Sequence, residues 1–336
     1  MLDIPQQTPL DPFAMAFNGS ALDFNIQPFD IYLCQEWKDN SWKDTAFKDG
    51  YEIKPVYNRA SDDKKGIAKF NSDGEILDWW VVGKDYYHKT HREFFHPIWE
   101  QIVDNFDTND VADVKINIKS ARNGRWGLMD MVFPNIGVPI TTTNGHQTTI
   151  SLRIVAWSGL DGSAANNYIL GAIDGFCTNG QIFTSAVDKD GAITKLSKRN
   201  SKLFDMKQFA FTLKNAAETF DNKSKEYQIM ATKSLGWKDG SKFIDNIVNL
   251  SDSKKKGLKE LLQLELVTRG HNVFALHSAL TNYSSHNDHL NMDGDALFRS
   301  RKSKHGDMEH KNMFNREEEV LSIIESNQWQ ELLVAA

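Results

Sequence analysis

The sequence predicts an α+β protein, an antiparallel β-meander sheet with long amphipathic helices packed on one face. Two observations carry this reading. From residue 114 to 187, apolar and polar residues alternate at the period of a strand, and the runs are joined by Asn-Gly and Asp-Gly pairs. After Leu196 the apolar spacing becomes helical. Tight turns leave no room for the crossovers, about a dozen residues each, that parallel strands need, so a doubly wound sheet is excluded.

The first 75 residues are rich in turn signals, with Asn18-Gly19, Asp49-Gly50 and Asp73-Gly74, and hold one candidate strand near Phe29–Leu33. THREFFHPIWEQIVDNF (90–106) puts Phe94, Phe95, Ile98, Ile102 and Phe106 on one helical face, and Thr90 with Glu93 forms a capping box ahead of it. VKINIKSA (114–121) and RWGLMDMVF (125–133) flank Asn123-Gly124, the strongest short hairpin signal. TTISLRIVAWS (148–158), NNYILGAIDGFC (166–177) and QIFTSAV (181–187) complete the meander. Helices follow at 204–232, 254–270 with Gly270 as its C-terminal cap, 271–283 and 316–334. Residues 284–314 read as a polar linker or loop. The chain thus divides into a loop-rich extension (1–78), a main domain (79–285) and a linker with a closing amphipathic helix (286–336).

Of 336 residues, 40% are hydrophobic and 25% charged, which excludes wholesale disorder. No run approaches the ~18 apolar residues of a membrane span. The first residues lack the basic and apolar regions of a secretory signal, and Cys34 and Cys177 form no paired motif. The expected location is therefore cytoplasmic. The net charge is −6, yet residues 195–259 carry 15 basic and 7 acidic side chains. A segment at +8 inside an acidic chain points to an anion-binding face, with nucleic acid as the expected polyanion. Its candidate contacts are Lys198, Arg199, Lys202 and Lys207, with the wet side of a long helix as the alternative.

No phosphate-binding loop, dinucleotide fingerprint, nucleophile elbow or zinc-protease motif is present. His286 and His289 beside Asp288, with His305 and His310, raise the question of a metal site, but their spacing matches no ligand pattern and a solvated loop is the expectation. His88, His91 and His96 are read as capping or packing residues, and Asp104, Asp107, Asp110 and Asp113 as solvated. No metal or cofactor is expected.

The hairpin tip is the most informative local feature. Arg122 and Arg125 flank the turn and are expected to face each other, with Lys119 before them and Trp126 after. Like charges directly opposite destabilise a hairpin by roughly 0.2–1 kcal/mol. A projecting tip of three cations and an indole suits phosphate contact with base stacking, and a solvated pair of arginines is the alternative.

Two stretches, IVAWSGLDGSAANNYILGAIDGFCTNGQIF (154–183) and FALHSALTNYSSH (274–286), resemble motifs of the uncharacterised phage/plasmid-like family known as domain of unknown function nine-three-two, as does VVGKDYYHKTHREFFHPIWEQI (81–102). The matching positions are Asp161, Gly162, Ser163, Cys177, Asn179, Gly180, Thr281 and His286. Asp174 or Gly175 stands where that family has arginine, and His277-Ser278 replaces its Tyr-Asn. The resemblance implies a mobile-element origin and no defined activity. Asp161-Gly162-Ser163 and Cys177-Thr178-Asn179-Gly180 are read first as turns. Together these observations predict a phage-encoded, non-catalytic single-stranded DNA-binding or annealing accessory protein of replication or recombination, with self-association left open. The alternatives are an enzyme gathering Asp161, Asn179 and His286, and a virion or host-interaction protein.

Overall fold

The computed structural model describes residues 11–18, 20, 22, 25–29, 47–48, 52–53, 64–83, 86–163, 166–176, 180–182, 195–198, 213, 216–248, 250–285 and 309–334. The fold is α+β, with antiparallel sheets. Helix α1 (Pro12–Phe17) starts at Asp11, whose carboxylate accepts from the Phe13 amide, and buries Phe13 and Phe17. Strand β1 (Asn25–Phe29) precedes the short pair β2 (Phe47–Lys48) and β3 (Glu52–Ile53). β4 (Lys64–Phe70) and β5 (Ile76–Gly83) join β1 in a three-stranded sheet of order β1-β4-β5. The stretch expected to be loop-rich therefore holds a sheet. KKGIAKF carries three lysines and a glycine, so its sequence gives no strand-like run, and Ile67 is buried by partners distant in the chain.

Helix α2 (His91–Asn105) begins with the expected capping box, and buries Phe94, Phe95, Ile98 and Ile102 as its periodicity requires. After the short α3 (Thr108–Val111) come β6 (Lys115–Ala121), β7 (Trp126–Thr141), β8 (Gln147–Gly159), β9 (Asn166–Asp174), β10 (Gly180–Ile182) and β11 (Lys195–Lys198). They form one sheet of order β10-β9-β8-β7-β6, with β11 also on β9. β10 meets β9 at Gly171–Ile173 and β11 meets it at Asn166–Ile169, so the two short strands share one edge of β9.

The helices are α4 (Ala216–Thr232), α5 (Trp237–Asp245), α6 (Asp252–Arg269), α7 (Val273–Ser285), α8 (Glu309–Ile324) and α9 (Asn327–Val334). Gly270 ends α6 at φ 86°, a left-handed conformation that glycine adopts without Cβ strain. The expected single closing helix is two, because the Ser326 hydroxyl accepts from the Trp329 amide and starts α9 afresh.

Alternation along β8 sorts the two faces of the sheet. Ile150, Leu152, Ile154 and Ala156 enter the main core with Phe94 and Ile98 of α2 and Phe274 and Leu280 of α7. Val155 and Trp157 point the other way and meet Leu128, Ile169 and Leu321 of α8. The helices are thus not confined to one face. The expectation failed here because α8 splits its apolar residues. Leu321 goes to the second face, whereas Val320, Ile323 and Ile324 join the main core. Among the described residues no helix is long and apolar enough to cross a membrane.

Candidate nucleic-acid interface

At the tip between β6 and β7, the Asn123-Gly124 turn forms as expected. Asn123 sits at φ 57°, ψ 36° and Gly124 at φ 84°, and the Arg125 amide donates to the Arg122 carbonyl at 3.1 Å. These are the angles of the primed turn that matches strand twist. Arg122 itself lies at φ 51°, a conformation costing an ordinary residue roughly 1 kcal/mol.

The two arginines do not confront each other. Arg122 Nη1 donates to Asp161 Oδ2 at 3.1 Å and to Ser163 Oγ at 2.7 Å, and its guanidinium lies 4.3 Å from the Trp126 ring centre. Arg125 grips Asp78 of β5 through Nε and Nη2 at 2.9 and 2.8 Å, over Trp80. Each guanidinium is therefore fixed by its own carboxylate and its own indole, and the expected repulsion is absent. The side chains of Arg122 and Arg125 stay 24% and 30% exposed, enough to meet a ligand at the surface.

Trp126 corrects the sequence reading. It is 2% exposed, and its Nε1 donates to Ser163 Oγ at 2.9 Å and Asp161 Oδ1 at 3.2 Å. The indole faces inward because Asp161-Gly162-Ser163 folds over it in an Asx turn, with the Ser163 amide donating to Asp161 Oδ1. An indole so placed offers no face to a base. Lys119 is also not at the tip. It points to the second face of the sheet, half-buried, where desolvation lowers its pKa and the charge of Asp130 acts against that.

A third cation takes its place. Lys69 of β4 is 4% exposed and its ammonium donates to the Asn123 carbonyl at 2.9 Å. Burial lowers its pKa, opposed by Asp78. His91 of α2 bonds the Gly124 carbonyl at 2.8 Å through Nε2. Three cations, Lys69, Arg122 and Arg125, thus surround one turn against two carboxylates, Asp78 and Asp161. Sequence reasoning missed Lys69, Asp78 and Trp80 as partners, because nothing local pairs residues about fifty positions apart.

Within the basic segment, four described lysines of the helices have acidic neighbours. Lys223 pairs with Glu226, Lys225 with Asp221, Lys254 with Glu319 and Lys259 with Asp245. Exposed pairs of this kind contribute little stability but do offset charge. Most of the excess, +5 of the +8, belongs to residues 195–215, with six basic side chains and one acidic. Of these, Lys198 ends β11 opposite Asn166 of β9, while Arg199, Lys202 and Lys207 lie outside the described residues. Trp126 pairs with Gly159 of β8, and Trp157 of β8 pairs with Asn167 of β9. The register therefore puts Lys198 at the same end of the sheet as the Arg122–Arg125 turn. Three strand spacings separate β7 from β11, roughly 14 Å.

Cys177, Asn179, His286, His289 and His305 lie outside the described residues, as does the side chain of His310. Gly180 opens β10, and Thr281 is buried in α7, its hydroxyl donating to the His277 carbonyl. Asp161 is not brought near Thr281, since it is bound up at the opposite end of the sheet. Among the described residues, no three His, Cys, Asp or Glu side chains are placed to hold a metal ion.

A second polar cluster, which the sequence did not reveal, ties the helices to the far end of the sheet. Arg269, fully buried at the end of α6, contacts Asp174 Oδ2 and Glu265 Oε2 at 2.7 Å each, between Phe176 and Phe274. Asp174 also accepts from Thr148 Oγ1 at 2.5 Å. Beside it, His277 and Tyr227 line a cavity of about 10 Å³, the size of one water. Burial lowers His277 to about 3 and His91 to about 4. Both stay neutral in the folded chain but charge near 6.5 when unfolded, so their stabilisation is lost as pH falls from 6.5 through those values. We expect the urea midpoint to drop between pH 6.5 and 4.5, each histidine contributing up to about 1.4 kcal/mol per pH unit. A midpoint that rises over this range would contradict the buried, neutral state of both rings.

No family model, curated protein or solved structure matches the chain. The resemblance to the phage/plasmid-like family therefore rests on the quoted motifs alone.

Proposed function

We propose that the chain is a non-catalytic nucleic-acid-binding accessory protein that holds a single strand along the end of its large sheet. One observation carries the reading. Strand β11 ends at Lys198, the first residue of the basic run 198–207, at the end of the sheet where the partly exposed Arg122 and Arg125 sit about three strands away. Phosphates of an extended strand fit such a rim, and the charge of the run supplies affinity without sequence preference. The carboxylates behind the arginines hold them in one geometry and offset part of their charge, so the run contributes more than the turn. Stacking through Trp126 drops out of the proposal, and the enzyme alternative gains no support from Asp161, whose oxygens are engaged by Arg122, Trp126 and Ser163.

The test is a variant with Lys198, Arg199 and Lys202 changed together to Ala. If the run contacts phosphates, log K for a single-stranded oligonucleotide falls with log[salt] at about −0.7 per contact, and the variant loses up to about two units of that slope. Its melting temperature stays near that of the parent. An unchanged slope would remove the run from the interface.

A further inference from the structure

The second face of the sheet carries a buried acid that the proposed interface does not use. Glu317 of α8 has a side chain 1% exposed, and neither carboxylate oxygen has a hydrogen-bond partner among the described residues. The guanidinium it faces is already committed. Arg153 of β8 donates through Nε and Nη2 to both oxygens of Asp130 at 2.8 Å, leaving Nη1 3.7 Å from Glu317 Oε1. That distance is too long for a hydrogen bond. A buried carboxylate without donors is costly, whereas a neutral carboxyl in the same place is far less so.

Among the described residues, the surroundings do not supply the missing donor. β7 presents Asp130, of the same sign as ionised Glu317, and β8 presents Arg153. β6 adds Lys119, which lies in the field of Asp130 and Arg153. On α8 itself Arg316 turns its Nε to the Ser284 carbonyl of α7, and its charge, like that of Arg153, favours the ionised acid without overcoming burial. Tyr283 of α7 and Lys254 of α6 bond Glu319 instead, and β10 offers Gly180, Gln181 and Ile182, none of which titrates. Among the described side chains of this helix, Leu321 is the one that joins Leu128, Val155, Trp157 and Ile169 there.

We infer that α8 is a proton-dependent latch on the second face of the sheet, closed while Glu317 is protonated and loosened as that carboxyl ionises. Burial supports this by raising Glu317 to about 7 against an unperturbed value of 4.5. For an acid raised in the closed form, stability is full below 4.5 and is lost as pH rises from there to about 7. The opening constant of the first half of α8 then grows up to tenfold per pH unit across that window and levels off above it. The sign is opposite to that of the buried histidines.

Hydrogen exchange of the α8 amides in the full chain tests this, read between pH 5 and 8 after correction for intrinsic exchange. Expected is a loss of protection in the parent of at least tenfold between pH 5 and 7, against a flat profile in Glu317→Gln. Glu317→Met, also neutral, gives the same flat profile and serves if the glutamine variant folds poorly. Flat protection in the parent overturns the latch outright, as does a variant that keeps the parent's pH dependence.

Discussion

Arg269→Met lowers the stability of the fold by about 3–5 kcal/mol, measured as the free energy of urea unfolding at pH 7. The substitution keeps most of the apolar stem but removes the guanidinium that lies over Phe176 and Phe274 and pairs with Asp174 and Glu265. Two buried acids then face one another with no counter-charge, and burial already pushes Glu265 up. Such a loss exceeds that of a solvated pair, which is within about 1 kcal/mol. A loss under about 1 kcal/mol would show that the cluster does not fasten α6 to the sheet.

Trp126→Ala has an effect of similar size, about 3–5 kcal/mol, because it empties a large core site. The indole is nearly fully buried, and its removal also takes a donor from Asp161 and Ser163 and the platform beneath Arg122. Binding of single-stranded DNA by the folded variant changes little, since the ring presents no face to a base. The opposite pattern, intact stability with binding weakened by roughly 1–3 kcal/mol, would restore a stacking role. Urea unfolding and anisotropy on the same preparation separate the two.

Local signals in the sequence were reliable where one segment decides its own structure. The Thr90 and Glu93 capping box, the Asn123-Gly124 turn and the Gly270 cap all formed, because each depends on contacts within a few residues. The alternation in 148–158 gave β8 and both of its faces for the same reason. What the sequence concealed depends on distant partners. Trp126 looks like an exposed neighbour of a turn until Asp161 and Ser163 close over it from 35 and 37 positions away. Arg122 and Arg125 look like a repelling pair until Asp161 and Asp78 separate them. Arg269 reads as an ordinary basic residue near a helix end, yet it is fully buried between two acids and two rings. The register that brings Lys198 to the end of the sheet holding Arg122 is likewise a property of pairing between strands rather than of either segment.

The most direct measurement is a fluorescence-anisotropy titration of the intact protein with a single-stranded oligonucleotide and with its duplex, each at two salt concentrations. The proposed rim predicts saturable single-strand binding that weakens steeply with salt, and weaker duplex binding, since a rim about three strands wide fits an extended strand. Flat curves for the single strand at the lower salt concentration would contradict the account.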